Sequence, residues 1–176
     1  MMTLIIGPMK CAKSAELILR AEPHRIAGKK VTYIKPKRDV RTDTIASRLG
    51  LEAEAESLSE LRAAPLSDVY AVDEVHMFDE FAAQTVREWL TAGAEVILAG
   101  LNTDHAGRLM PTVAKLIELS PEVLINKQAV CEVCGGNATH TQVTDQTGAV
   151  VPKSMSPEVP DDGTYRYAAV CRRCFR

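Results

Sequence analysis

The feature that most constrains the fold is the stretch GPMKCAKS at residues 7–14, which follows the apolar run MMTLII and opens a helix-like segment. It matches the strand–loop–helix pattern G-x-x-x-x-G-K-S at every fixed position except Ala12, where the pattern has glycine. In such a loop the backbone N–H groups and the helix start cradle phosphate. Lys13 would neutralise the terminal phosphates and Ser14 would ligate Mg²⁺. The methyl group of Ala12 matters only if that residue needs φ > 0, or if phosphate approaches its Cα closely. The plain alternative is an ordinary strand–turn–helix with a chance Lys-Ser.

The rest of the chain supplies the sheet that such a loop requires. The runs KKVTYIKP, SDVYAVDE and AEVILAG read as further strands, and they alternate with helical segments at 14–27 and EFAAQTVREWLTAG, the latter stopped by Gly93. Apolar strands alternating with helices imply an α/β fold with a parallel sheet covered on both faces. Pro23 is expected to kink the first helix or end it near Glu22. The segment LEAEAESLSELRAAP reads as a surface helix. After Ala129 the composition shifts, and cysteine pairs bracket a long stretch rich in Gly, Pro, Ser, Thr and Asp. We therefore expect a nucleotide-binding domain at 1–126 and a small second unit at 127–176, which 176 residues can accommodate. A net charge of −2 gives no electrostatic drive toward nucleic acid or a membrane surface. The opening MMTLIIG lacks the features of a signal peptide, and no apolar run reaches the roughly 18 residues needed to span a bilayer. A cytoplasmic protein is expected.

Three further motifs carry chemistry. VYAVDEVHMF delivers Asp73 and Glu74 at the end of a strand, where a second acidic site for Mg²⁺ belongs. Asp73 would hold the metal through water, and Glu74 is a candidate general base for a substrate hydroxyl; the alternative is a pair of acids that merely end a strand. The segments YIKPKRDVR and IASRLG offer Lys35, Asp39, Arg41, Ser47 and Arg48, which on the residues alone read as a solvated charged loop. CEVC and CRRC place Cys131, Cys134, Cys171 and Cys174 in the CxxC…CxxC spacing of a closed, structural Cys₄ zinc site, with redox-active dithiols as the alternative. His24, His76, His105 and His140 read as ordinary residues, with His76 singled out because it follows the acidic pair. Cys11 reads as a passive loop residue.

Taken in order, these motifs resemble the type II thymidine kinases. IIGPMKCAKSAELILR is similar to the family's GPM-x-[SG]-GK-[ST] loop and helix. KPKRDVRTDTIASRLG resembles its KP-x-x-D-x-R…I-x-SR-x-G segment, and AVDEVHMF stands where the family has DE-x-Q-F-[FL]. LAGLNTDHAGRLMP corresponds to GLD-x-[DT]-F…P[FM], and VCEVCGGNATHTQ and RYAAVCRRC to its zinc knuckles. The resemblance implies a P-loop sheet flanked by helices, plus a zinc-ribbon-like domain whose lasso loop covers the nucleoside. It implies ATP, Mg²⁺ and structural Zn²⁺ as cofactors and assembly as a homotetramer, or a dimer. It further implies that thymidine and deoxyuridine are phosphorylated at the 5′-hydroxyl for DNA synthesis, with no nucleic acid or membrane partner. Carried over by position, ATP and Mg²⁺ are bound by Gly7, Lys10, Cys11, Ala12, Lys13, Ser14, Asp39, Arg41 and Asp73, with Glu74 as base. The nucleoside contacts fall to Met9, His76, Met77, Leu101, His105, Tyr165 and Tyr167. Departures from the family pattern lie at Lys10, Ala12, His76, Met77, Asn102 and His105, and the lasso turn EVPDDGTYRY lacks the family's I-G-G. A non-catalytic or altered-specificity relative with a weakened P-loop is the alternative reading.

Overall fold

The computed structural model describes residues 1–156 and 163–176, so residues 158–162 of the lasso turn lie outside the described residues. Its centre is a six-stranded, all-parallel sheet built from β1 (Met2–Gly7), β2 (Val31–Pro36), β5 (Glu56–Leu58), β6 (Val69–Val72), β7 (Glu95–Leu101) and β8 (Val123–Asn126), in the order β5-β2-β6-β7-β1-β8. Two edge strands, β5 and β8, extend the four expected from the sequence. Side chains alternate across each strand. Leu4, Ile6, Tyr70, Val72, Val96 and Leu98 point to one face. There they pack with Val86 and Val113 of α2 (Ala82–Thr91) and α3 (Pro111–Ile117). Ile5, Val69, Ala71, Ile97 and Ala99 face the other side, against Leu17, Ile18 and Ala21 of α1 (Lys13–Ile26). Both faces of the sheet are thus covered, and the apolar runs of the sequence are its buried strands.

Two expectations are corrected. α1 runs through Pro23 to Ile26. The proline forfeits one hydrogen bond close to the helix end, on the exposed side, while Leu17, Ile18 and Ala21 hold the helix to the sheet. The segment at 51–65 is not a helix. Residues 52–54 form β4 (Glu52–Glu54), which pairs antiparallel with β3 (Thr44–Ala46), and residues 56–58 form β5 at the sheet edge. Leu51, Ala53 and Ala55 pack inward while Glu52, Glu54 and Glu56 are exposed. That is the period-two signature of a strand, and it overrides the helix-favouring composition of Glu, Ala and Leu.

Beyond the sheet, β9 (Ala129–Val130) pairs with β10 (Asn137–Ala138), and β11 (His140–Thr144) pairs with β12 (Arg166–Val170). Cys131, Ala138, Ala169 and Val170 form a small separate core there. The parallel strands direct their carboxyl ends, Gly7, Pro36, Val72 and Leu101, to one edge of the sheet, which is where ligands bind in open α/β folds.

Candidate active site

The loop between β1 and α1 is tightly drawn. A Cβ on Gly7 would lie 2.6 Å from the Lys127 carbonyl oxygen and 2.8 Å from Cys11 Sγ, so only glycine fits. Lys10 and Ala12 adopt left-handed backbone conformations, with φ of 65° and 59°. Bends of this kind aim successive N–H groups into one anion-binding concavity. Ala12 therefore meets the condition set by the sequence: it occupies a position that favours glycine, at a cost on the order of 1 kcal/mol. Lys13 is buried, and its Nζ donates to the Pro8 carbonyl at 2.7 Å. Cys11 is buried beside it, 3.7 Å from that Nζ.

The acidic pair at the end of β6 faces this loop across β7. Ser14 lies beside Asp73, where its hydroxyl favours the ionised carboxylate, and so brings the loop to the β6 terminus. Glu74 takes a left-handed conformation, φ 48°, and its backbone N–H donates to Asp73 Oδ1 at 3.0 Å. Strain of this order, about 1–3 kcal/mol, is held only where the surroundings fix it. Burial, reinforced by the negative charge of Glu74, raises the Asp73 carboxyl to about 7. Burial opposes ionisation of Glu74 as well, but His76 when protonated, Arg41 and Lys13 together bring it down to about 2. Burial lowers His76 to about 4, so its ring is neutral near pH 7. In agreement, His76 Nδ1 accepts the Leu101 N–H at 3.2 Å, which leaves Arg41 and Lys13 as the charges holding Glu74 ionised.

Asp39 and Arg41 are part of this site rather than a solvated loop. Arg41 Nε and Nη2 bond the two Asp39 carboxylate oxygens at 2.7 and 3.1 Å, and Nη2 also reaches Glu74 Oε1 at 2.6 Å. Among the described residues, the remaining oxygen, Glu74 Oε2, is buried 3.5 Å from His76 Nδ1 without a hydrogen-bond partner, and Asn102 Oδ1, Thr103 Oγ1 and His105 Nδ1 after β7 also lack one. Unmet polar atoms concentrated at one sheet edge mark a place where a polar ligand belongs. Lys35, read from sequence as part of the solvated loop, is 2% exposed.

The expected nucleoside residues are more widely placed. His76 is buried and Met77 half-buried in the turn after Glu74, and Leu101 ends β7. His105 is buried and bonds the Pro152 carbonyl through Nε2 at 3.1 Å. The Met9 N–H donates to Thr141 Oγ1 at 3.0 Å. Tyr167 sits in β12 opposite Val143, with Tyr165 just before that strand. Sequence reasoning overlooked Glu132, whose carboxylate grips Lys10 Nζ at 2.7 and 2.8 Å and accepts the Ala169 N–H at 2.7 Å. Its place between two metal-type cysteines was the only available signal.

The four cysteines of the CxxC pairs converge, with sulfur atoms all within 4.8 Å of one another. All are free thiols, and Cys134 and Cys171 Sγ lie 3.6 Å apart. A tetrahedral Cys₄ zinc site, with Zn–S of about 2.3 Å, sets its sulfurs about 3.8 Å apart, so the cluster fits that ion.

The thymidine kinase family model matches residues 1–175. A thymidine kinase of Pyrobaculum aerophilum is 36% identical over 185 aligned residues, covering 99% of this chain and 98% of the relative. Thymidine kinases of Pseudothermotoga lettingae and a Rhodothermus species are 33% and 32% identical, covering 99% and 98% of this chain and 94% and 80% of their own lengths.

Two outcomes follow from the geometry. Ala12→Gly should raise the unfolding free energy by up to about 1 kcal/mol in a denaturant titration, because glycine relieves the left-handed strain. Asp73, with a folded pKa of about 7 against an ordinary 3.8, contributes stability that is present below the ordinary value and lost as pH rises through 7. Without divalent cations, Asp73→Asn should therefore melt above the unsubstituted protein at about pH 8, and that difference should shrink toward about pH 5.

Proposed function

The chain belongs to the thymidine kinase family, and on that premise we propose that it transfers the γ-phosphoryl group of ATP to the 5′-hydroxyl of thymidine and of deoxyuridine. The observation that carries this reading is the placement of Ser14 beside Asp73, next to a strained Glu74 whose Oε2 has no hydrogen-bond partner among the described residues. Phosphoryl transfer asks mainly for positioning and charge stabilisation. Lys13 and the backbone of residues 7–14 would hold the triphosphate, with Lys13 Nζ exchanging the Pro8 carbonyl for phosphate oxygen. Ser14 and Asp73 are the residues suited to Mg²⁺, which when bound would withdraw charge from the transferring phosphoryl group. Arg41, partly exposed and already against Glu74, would add positive charge on the same side. Glu74 Oε2 would accept the proton of the 5′-hydroxyl. A carboxylate held so far below neutrality is a weak base, which suits a loose transition state where the proton leaves late.

His76, Met77, Leu101, His105, Tyr165 and Tyr167 make up the nucleoside contacts in this proposal. The partnerless acceptors near β7 support it, since they would be met by hydroxyl or N–H donors of a nucleoside. The Cys₄ cluster is proposed as a structural Zn²⁺ site that closes the base of the lasso. Free thiols throughout agree with a reducing cytoplasm, and no helix among the described residues is long and apolar enough to cross a membrane. Domains at 1–126 and 127–176 and assembly as a homotetramer complete the proposal. The left-handed Ala12 favours a second reading, a non-catalytic relative with a weakened phosphate grip.

Turnover separates the two. ADP release from ATP·Mg²⁺ is expected with thymidine and deoxyuridine and not with deoxycytidine or deoxyguanosine; silence with all four would favour the second reading. Glu74→Gln should cut turnover by at least about 100-fold while leaving ATP affinity by calorimetry within a few-fold. Elemental analysis should find one Zn²⁺ per chain, and its removal by chelator should lower the melting temperature; a metal-free pure protein would remove the Cys₄ assignment.

A further inference from the structure

Among the described residues Lys35, next to the last residue of β2, is the largest fully buried side chain. An ammonium group at such a position must be paired, because its desolvation cost is otherwise uncompensated. Its hydrogen bond goes to the Thr42 carbonyl, and its ion pair to Asp39 Oδ2 at 3.7 Å. Both partners belong to the segment that leaves β2 and returns as β3, and neither belongs to the sheet. Asp39 has little need of this cation for its own sake, since Arg41 already bonds both its oxygens. What the lysine supplies is an attachment: it ties residues 39 and 42, on either side of Arg41, to the central sheet.

The charges beyond it alternate without a break. Lys35 faces Asp39, Asp39 grips Arg41, and Arg41 Nη2 ends on Glu74 Oε1 at 2.6 Å. Asp39 and Glu74 carry side chains only 8% and 9% exposed, so water screens this part of the row weakly. Arg41 is the outermost member, with a third of its side chain exposed, and it approaches Glu74 from a loop rather than from a strand. Its guanidinium is bonded through two nitrogens by Asp39, which lies in the same loop.

We infer that Lys35 is a positioning residue, which anchors the loop at residues 37–42 to β2 so that Arg41 is presented to Glu74. The inference rests on the reading of Glu74 and Arg41 as parts of a phosphoryl-transfer site. Lys35 touches neither substrate nor reacting atoms and acts through Arg41 alone. An apolar side chain of similar length would fill the same space and avoid the buried charge, so packing by itself does not require lysine here.

The test compares Lys35→Met in the unsubstituted protein and in an Arg41→Gln background, reading kcat and KM separately. Lys35→Met should lower kcat at least ten-fold with KM for ATP nearly unchanged, and should change kcat less than two-fold once Arg41 is Gln. Hydrogen exchange at the Asp39 amide, bonded to the Pro36 carbonyl, should speed up in Lys35→Met while amides of β6 and β7 keep their protection. Lys35→Gln removes the charge facing Asp39 while leaving the Asp39–Arg41 bonds in place, and it replaces Lys35→Met if that variant does not fold. Unchanged kcat in Lys35→Met, or an equal loss in both backgrounds, would overturn the proposal. Normal turnover in Glu74→Gln would instead overturn the reading of the site on which it rests. A dead Glu74→Gln beside a fully active Lys35→Met sinks the positioning role alone.

Discussion

Charge gathered at the carboxyl edge of a parallel sheet must be balanced at short range, and the arrangement of this site follows from that requirement. Asp73 and Glu74 are adjacent in sequence, buried, and both acidic. Two neighbouring carboxylates cannot both ionise freely without cations nearby. The fold meets the demand at Glu74 through Arg41 and Lys13, while at Asp73 the Ser14 hydroxyl, the Glu74 N–H and Lys13 are outweighed by burial and by the charge of Glu74. The two acids are thereby driven apart in behaviour, one ionised at all working pH values and one that gives up its proton near neutrality. On the proposed reading, Asp73 would exchange its proton for Mg²⁺, whereas the clamped Glu74 would keep its charge through that exchange.

Backbone strain sits at the same points. Among the described residues, four non-glycine positions have positive φ: Lys10, Ala12, Glu74 and Ser120. Three of these four lie in the phosphate loop or the acidic pair. Glu74 is turned out of the strand direction by its left-handed backbone, which separates its carboxylate from that of Asp73 and brings it to Arg41. The strain at Ala12 is of a different kind, because the loop shape is dictated by the Gly7 approach to Lys127 and by the helix start, and alanine simply accommodates it. Ala12 is exposed, so its methyl raises the cost of the loop without displacing a packed neighbour.

How much of this was legible in the sequence depends on whether the signal was local. The phosphate loop, four of the six sheet strands and the cysteine pairs announce themselves by spacing or by apolar runs, and the structure places them as expected. Residues 51–56 show where composition misleads: Glu, Ala and Leu favour helix, but their strict alternation fits a half-buried strand, and strand pairing decides for the alternation. Lys35 and Asp39 read as solvated because charged residues usually are. Only the tertiary fold brings Asp39, Arg41 and Glu74 within bonding distance, across 33 residues between the last two. Ala12 was legible as a question and not as an answer, since φ is a property of the folded loop.

The remaining link runs from the cysteine cluster to the phosphate loop. Glu132 lies inside the first knuckle, and its carboxylate holds both the Ala169 amide next to the second knuckle and the Lys10 ammonium of the loop. Met9 donates its N–H to Thr141, and Asn102 Nδ2 donates to the Thr139 carbonyl, so two other points of the sheet edge lean on the same small unit. The Lys10–Glu132 pair is partly exposed and contributes little stability by itself, of order 0–1 kcal/mol. Its effect is geometric. Lys10 has a left-handed backbone, and its ammonium ends on both oxygens of a carboxylate placed between two cysteines. The Lys10–Glu132 pair thus ties this loop to the knuckle that carries Glu132.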